Sequence, residues 1–138
     1  MASSFEDDED LSHASDQIDL RGRRVLVVED EAMIAMLVED MLDELGCAVI
    51  GPAHALEAAM ALANTETDID AALLDVNLGG ESVFPVADAL RAKGVPSVFS
   101  TGYGDSSLRG RYRDAPVLQK PFRAGDLERA LTAALGAA

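Results

Sequence analysis

One cysteine, Cys47, stands alone in the chain, which excludes an internal disulfide and fits a reducing compartment. Basic residues are scarce: 11 Lys and Arg face 25 Asp and Glu, for a formal charge of −14. Such a surface repels phosphate backbones and argues against nucleic acid as a direct partner. No apolar run approaches the roughly 20 residues that a membrane-spanning helix needs. The start, MASSFEDDEDL, lacks the basic residues and apolar stretch of a signal peptide. Cytoplasm, with no membrane partner, is therefore the expected location. His13 and His54 have no partner at metal-ligand spacing, so neither marks a metal centre. With 138 residues and no internal repeat, there is room for one domain with one sizeable core.

The acidic charge is unevenly spread. Residues 1–20 hold seven acids and no Lys or Arg, and the remaining 18 acids against 11 bases leave −7 for residues 21–138. Residues 1–20 are also poor in β-branched and aromatic side chains. That composition predicts a disordered arm, either a solvated tail or a docking segment for a partner. Residues 21–138 form the expected domain.

From Arg24 onward, short apolar runs alternate with amphipathic stretches. Val25–Val28, Ala48–Ile50, Ala71–Leu74, Val98–Phe99 and Val117–Leu118 are rich in branched residues and read as strands. Helical spacing joins Ile34, Leu37, Val38, Met41 and Leu45, and likewise Leu56, Ala59, Met60 and Ala63. It recurs at Val83, Ala87 and Leu90, and at Leu127, Ala130, Leu131, Ala134 and Leu135. These stripes are expected to be core faces. Between Tyr103 and Pro116, two glycines and few apolar residues predict a short, loosely held helix. Five strands alternating with five helices imply an α/β fold, a parallel sheet covered on both faces with right-handed crossovers.

Polar residues fall at the ends of those strands. Strand one runs into Glu29-Asp30, strand three into Asp75, strand four into Ser100-Thr101 and strand five into Lys120. Strand two ends in Gly51-Pro52-Ala53 and offers no chemistry. In open parallel sheets, ligands bind beyond the carboxyl ends of the strands at the topological switch point. The flavodoxin-like order 2-1-3-4-5 puts strands one and three side by side there and strand two off to one side. Three carboxylates so close repel one another unless a cation lies among them. Mg²⁺ suits such a site, since it takes oxygen ligands and typically one or two carboxylates plus phosphate. Lys120 offers a positive charge and Thr101 a hydroxyl donor to phosphoryl oxygens, which leaves Asp75 as a carboxylate nucleophile. Each residue alone has an ordinary reading as a cap, turn or surface residue, and the combination carries the inference.

VLVVEDE, LLDVNLGG, Ser100-Thr101-Gly102 and Lys120-Pro121-Phe122 together resemble the receiver domains of bacterial two-component response regulators, from about Arg23 to Leu135. The resemblance implies a phosphoacceptor in a histidine-kinase phosphorelay, with the (βα)5 three-layer fold. It implies Asp30 as a direct Mg²⁺ ligand, Glu29 as a water-mediated one, and Asp75 as the phosphorylated residue and a ligand. Asn77 matches the position whose backbone carbonyl completes metal coordination, Thr101 the switch hydroxyl, and Lys120 the family lysine, with a cis peptide before Pro121. Such a protein catalyses only its own phosphorylation and dephosphorylation. Its partners are a histidine kinase or phosphotransfer protein and a downstream protein target. Phosphorylation favours one of two arrangements of the loop and helix after Thr101.

Two departures refine the resemblance. Many receivers have an aromatic switch residue three before the lysine, where this sequence has Val117. The stretch from Pro96 to Tyr103, PSVFSTGY, is similar to the Phe-Ala-Thr-Gly-Tyr signature of the "FAT GUY" receivers, with Ser100 replacing Ala. Those proteins are common in alphaproteobacteria, often stand alone, and tend to work with HWE-type or related kinases. Tyr103, two past Thr101, is a candidate substitute for the missing aromatic. Cys47 reads as a small buried hydrophobe. Arg109, Arg111 and Arg113 read as a solvated basic face that could help recognise a partner.

Rival readings are weaker. A haloacid-dehalogenase-type phosphatase would have a second Asp two residues after its nucleophile, and Asn77 stands there. A flavodoxin-like cofactor binder would have a Gly- or Ser/Thr-rich phosphate loop after strand one, where acids stand instead. Only three residues follow Leu135, so no output domain is expected there, although a receiver cut from a hybrid histidine kinase would look the same.

Overall fold

The branched apolar runs become the strands of one sheet in the computed structural model, which describes residues 18–102, 108 and 110–137. Its strands are β1 (Arg24–Val28), β2 (Ala48–Ala53), β3 (Ala71–Asp75), β6 (Ser97–Thr101) and β7 (Val117–Gln119). All neighbours pair in parallel in the order β2-β1-β3-β6-β7. Counting only the sheet strands along the chain, this is the expected order 2-1-3-4-5. A separate two-stranded hairpin, β4 (Asn77–Leu78) and β5 (Glu81–Ser82), follows β3.

Alternation along each strand sends side chains to two cores, one per face. Leu26, Val28, Ala72, Leu74 and Phe99 point to a core closed by α2 (Leu56–Thr65) and α3 (Phe84–Ala92). Val25, Val27, Ala71, Leu73, Val98 and Leu118 point to the other, closed by α1 (Ala32–Glu44) and α4 (Ala124–Ala137). The result is the three-layer flavodoxin-like sandwich. Near-continuous burial of β1 and β3 is what a parallel sheet covered on both sides requires.

The structure corrects the sequence reading at one place and adds to it at two others. Leu37 is 55% exposed, together with Met33 and Met36, so the apolar stripe of α1 is wider than the sheet covers. Ala35, Val38 and Leu42 are its buried line. At the amino end, the packed body takes in Leu20, whose carbonyl accepts from the Cys47 thiol at 3.4 Å; the rest of the acidic arm, residues 1–17, lies outside the described residues. The weak helix expected after Tyr103 contributes, among the described residues, a 3-10 turn at Gly110–Tyr112. Tyr112 anchors that turn: its ring lies 5.6 Å from Phe84 and 5.3 Å from Phe99, and its hydroxyl donates to Asp88 at 2.7 Å.

Phe99 is the fully buried member of this three-ring cluster, two residues before Thr101 on β6. Phe99→Ala is therefore expected to cost about 3–5 kcal/mol in urea unfolding, a large part of the stability of a domain this size. A loss below about 1 kcal/mol would show that the cluster does not hold this side of the sheet together.

Candidate functional site

Strand register brings the polar residues to one rim. Val28 pairs with Leu74, so the next residues, Glu29 and Asp75, arrive level with each other. Asp75 pairs with Ser100 and Thr101 with Gln119, which sets Thr101 beside the start of the Lys120 segment. The Lys120 N–H donates to the Thr101 carbonyl at 2.9 Å, and the Lys120–Pro121 peptide is cis. Glu29, Asp75 and Thr101 are 3–4% exposed, a burial that the two carboxylates accept only when partnered.

The partner is Lys120. Its Nζ lies 2.8 Å from Glu29 Oε1 and 3.1 Å from Asp75 Oδ2, with Glu31 Oε1 at 4.0 Å. The other Glu29 oxygen, Oε2, accepts from the Glu31 N–H at 3.1 Å, and Asp75 Oδ1 accepts from the Asn77 N–H at 3.2 Å. Asp30 is held from a direction that sequence reasoning missed: the Gly79 N–H donates to Asp30 Oδ2 at 2.9 Å. That amide sits in the β4–β5 turn, where Gly79 and Gly80 both take positive φ and the Asn77 side-chain carbonyl accepts from the Gly80 N–H at 2.7 Å. The signal was in the sequence, as a Gly-Gly pair between short strand-like residues is a tight-hairpin signature.

Ligand oxygens of Glu29, Asp30 and Asp75 lie within 4.8 Å of one another. One ammonium cannot neutralise three carboxylates, and the strain appears in their acidities. Burial, reinforced by the nearby Asp75 charge, pushes Glu29 up to about 7 although Lys120 and the Glu31 N–H pull the other way. Burial also raises Asp75 above its ordinary range against the opposing pull of Lys120. Asp30 is the exception: burial acts to raise it, but hydrogen bonding with the Asp75 and Glu29 carboxyls and the Gly79 N–H outweighs this and holds it low. For Lys120, burial alone would favour the neutral amine, and its bonds to Glu29 and Asp75 overcome that. An all-oxygen donor set with excess negative charge fits a hard divalent cation such as Mg²⁺. Asn77, two residues past Asp75, is exposed at the start of the hairpin.

Of the remaining sequence candidates, Tyr103 and Arg109 lie outside the described residues. Val117, where an aromatic stands in many receivers, is 46% exposed at the start of the edge strand β7. Cys47 is buried as expected. Among the described residues, no helix is long and apolar enough to cross a membrane.

A doubly covered parallel sheet with this rim of acids, threonine and lysine defines a class, and sequence comparison agrees: the response regulator receiver domain family matches residues 25–132, and the chain belongs to it. It is 32% identical to the phyllosphere-induced regulator PhyR of Methylorubrum extorquens over 93% of this chain and 52% of that protein. The chain spans about half the length of the curated relatives it matches. The solution structure of SdrG from Sphingomonas melonis Fr1 is similar with 45% identity and a TM-score of 0.73, over 86% of this chain and 98% of that one. The BeF3-activated conformation of SdrG from Pseudomonas melonis Fr1 matches at 46% identity and a TM-score of 0.69, over 81% and 95%.

The lowered acidity of Glu29 sets a pH dependence. Between its ordinary 4.5 and about 7, the folded state keeps a proton that the unfolded state has released. Stability is thus fully present below the lower value and is lost as pH rises through the upper one, by at most about 3 kcal/mol before solvent screening. With chelator present, urea midpoints are expected to fall between pH 5 and pH 8, and Glu29→Gln to flatten that slope. A parent profile that is flat or rises over this range would contradict the crowded-carboxylate picture.

Proposed function

We propose that the chain is a phosphoacceptor in a histidine-kinase phosphorelay, with Asp75 as the residue phosphorylated. The observation that carries this reading is the Lys120 ammonium 3.1 Å from Asp75 Oδ2, at the rim of a carboxylate cluster with room for one cation. In the reaction, an Asp75 oxygen forms the new P–O bond while the bond from phosphorus to the donor, a phosphohistidine nitrogen of the kinase or a phosphotransfer protein, breaks. Asp30 and Asp75 would hold Mg²⁺ directly, with Glu29 through water and Asn77 through its carbonyl. Mg²⁺, when bound, supplies Lewis-acid stabilisation of charge on the phosphoryl oxygens. Lys120 contributes a second positive charge to those oxygens, and the buried Thr101 hydroxyl donates to another. Asn77 supplies no acid or base, so turnover of external phosphate esters is not part of this function, and only self-phosphorylation and self-dephosphorylation are.

The output is a change in protein–protein contact or in phosphoryl flow, made by the loop after Thr101. PSVFSTGY supports the "FAT GUY" subtype and, with it, an HWE-type kinase in the cytoplasm. The kinase face is α1. Met33, Met36 and Leu37 are exposed there beside a groove of about 330 Å³, whose lining includes Met41, Pro121, Phe122 and Lys120 itself. An apolar surface of this kind next to the phosphoacceptor suits the helical face of a phosphodonor.

Incubation with acetyl phosphate and Mg²⁺ is expected to add one phosphoryl group by intact mass, and Asp75→Asn to abolish it. Asp30→Asn should weaken Mg²⁺ binding about tenfold or more. Paired Met33→Ser and Leu37→Ser should leave acetyl phosphate labelling unchanged while slowing transfer from the cognate kinase about tenfold or more, as loss of interface anchors does. Undiminished labelling of Asp75→Asn would refute the assignment.

A further inference from the structure

Strand β2 supplies no side chain to the carboxylate cluster, yet its end holds the cluster's backbone. The β1–β2 register shifts between Leu26 and Val28, where β2 passes through Gly51 at a φ of +95° and a cis Gly51–Pro52 peptide. A Cβ at Gly51 would lie 2.8 Å from the Ala53 nitrogen and 3.2 Å from the Val27 carbonyl oxygen, so the kink is open only to glycine. It delivers Ala53 and His54 beside Glu29. The Glu29 N–H donates to the Ala53 carbonyl at 2.9 Å, the last bond of the ladder. Beyond it, where no further strand backbone follows, the Glu29 carbonyl lies 2.9 Å from His54 Nδ1. A carbonyl only accepts, so the ring nitrogen there carries the proton.

Each polar group of Glu29 thus has a partner: the N–H on Ala53, Oε1 at Lys120, Oε2 on the Glu31 N–H and the carbonyl on His54. Three of these belong to backbone or to the reaction machinery. The fourth is the one outside contribution, from a side chain that the histidine-ligand reasoning had set aside. We propose that His54 is a positioning residue for the acidic pair: by donating Nδ1–H to the Glu29 carbonyl, it fixes the peptide joining Glu29 to Asp30 and so the angle at which both carboxylates meet a cation. This rests on the reading of Glu29, Asp30 and Asp75 as the Mg²⁺ site. His54 itself touches neither the cation nor the phosphoryl group.

Two measurements on the full chain test it. In ¹⁵N NMR spectra taken where the ring is neutral, His54 is expected in the Nδ1–H tautomer, the minor form of free histidine. In Mg²⁺ titrations, His54→Phe should bind roughly three- to tenfold more weakly, the range one hydrogen bond carries, and His54→Asn, whose amide nitrogen can take the place of Nδ1, should return to within about twofold of the parent. Unchanged circular dichroism across the three proteins separates positioning from folding. An Nε2–H tautomer, or a His54→Phe affinity equal to the parent's while Asp30→Asn loses binding, overturns the role of His54 and leaves the cation site standing. A parent that binds no Mg²⁺, or an Asp30→Asn variant that binds as the parent does, overturns the site reading and the positioning role together.

Discussion

The ammonium of Lys120 sits between two buried carboxylates, and the upper rim of the sheet depends on that placement. Glu29 and Asp75 come from adjacent strands and are almost removed from solvent, so neither could remain there charged without a cation between them. One lysine is nonetheless too little for Glu29, Asp30 and Asp75 together. Glu29 responds by holding its proton towards neutrality, while Asp30, at the edge and bonded to Gly79, stays ionised. A site arranged in this way is stable enough to fold and still short of positive charge. Its all-oxygen donor set therefore fits a hard divalent cation.

The fold holds this arrangement from several sides. Glu29, Asp75 and Lys120 stand at or just past the ends of β1, β3 and β7, and parallel pairing fixes their relative heights. Asp30 is tied from across the rim by the β4–β5 turn, and the Glu29 backbone from the other side by the kinked end of β2. On the far side of β6, the Tyr112 ring packs against both Phe84 and Phe99.

Much of this was legible in the sequence because it depends on short-range pattern. Branched runs mark the strands, and the polar residue that ends each run marks the rim, so Glu29, Asp30, Asp75, Thr101 and Lys120 can be gathered from the sequence alone. What escaped depends on backbone amides and on the width of contact. Gly79 reaches Asp30 through an N–H that every residue possesses, and His54 acts through a hydrogen bond to a carbonyl, where ligand spacing carries no information. Periodicity tells which α1 residues share a face but not how much of that face the sheet covers, so Leu37 was expected inside and lies outside. Tyr112 drew no notice because its place in the ring cluster depends on how a poorly patterned segment returns to α3.

The most direct test is to replace Mg²⁺ by Mn²⁺ and map paramagnetic broadening of the backbone amides. Convergence of the four strand ends on one cation requires the strongest broadening at residues 29–31, 75–80 and 101–102 and at Lys120, saturating together with a single affinity. Broadening spread over the acidic surface, or confined to residues 29–31 while Asp75 and Lys120 stay sharp, would contradict it.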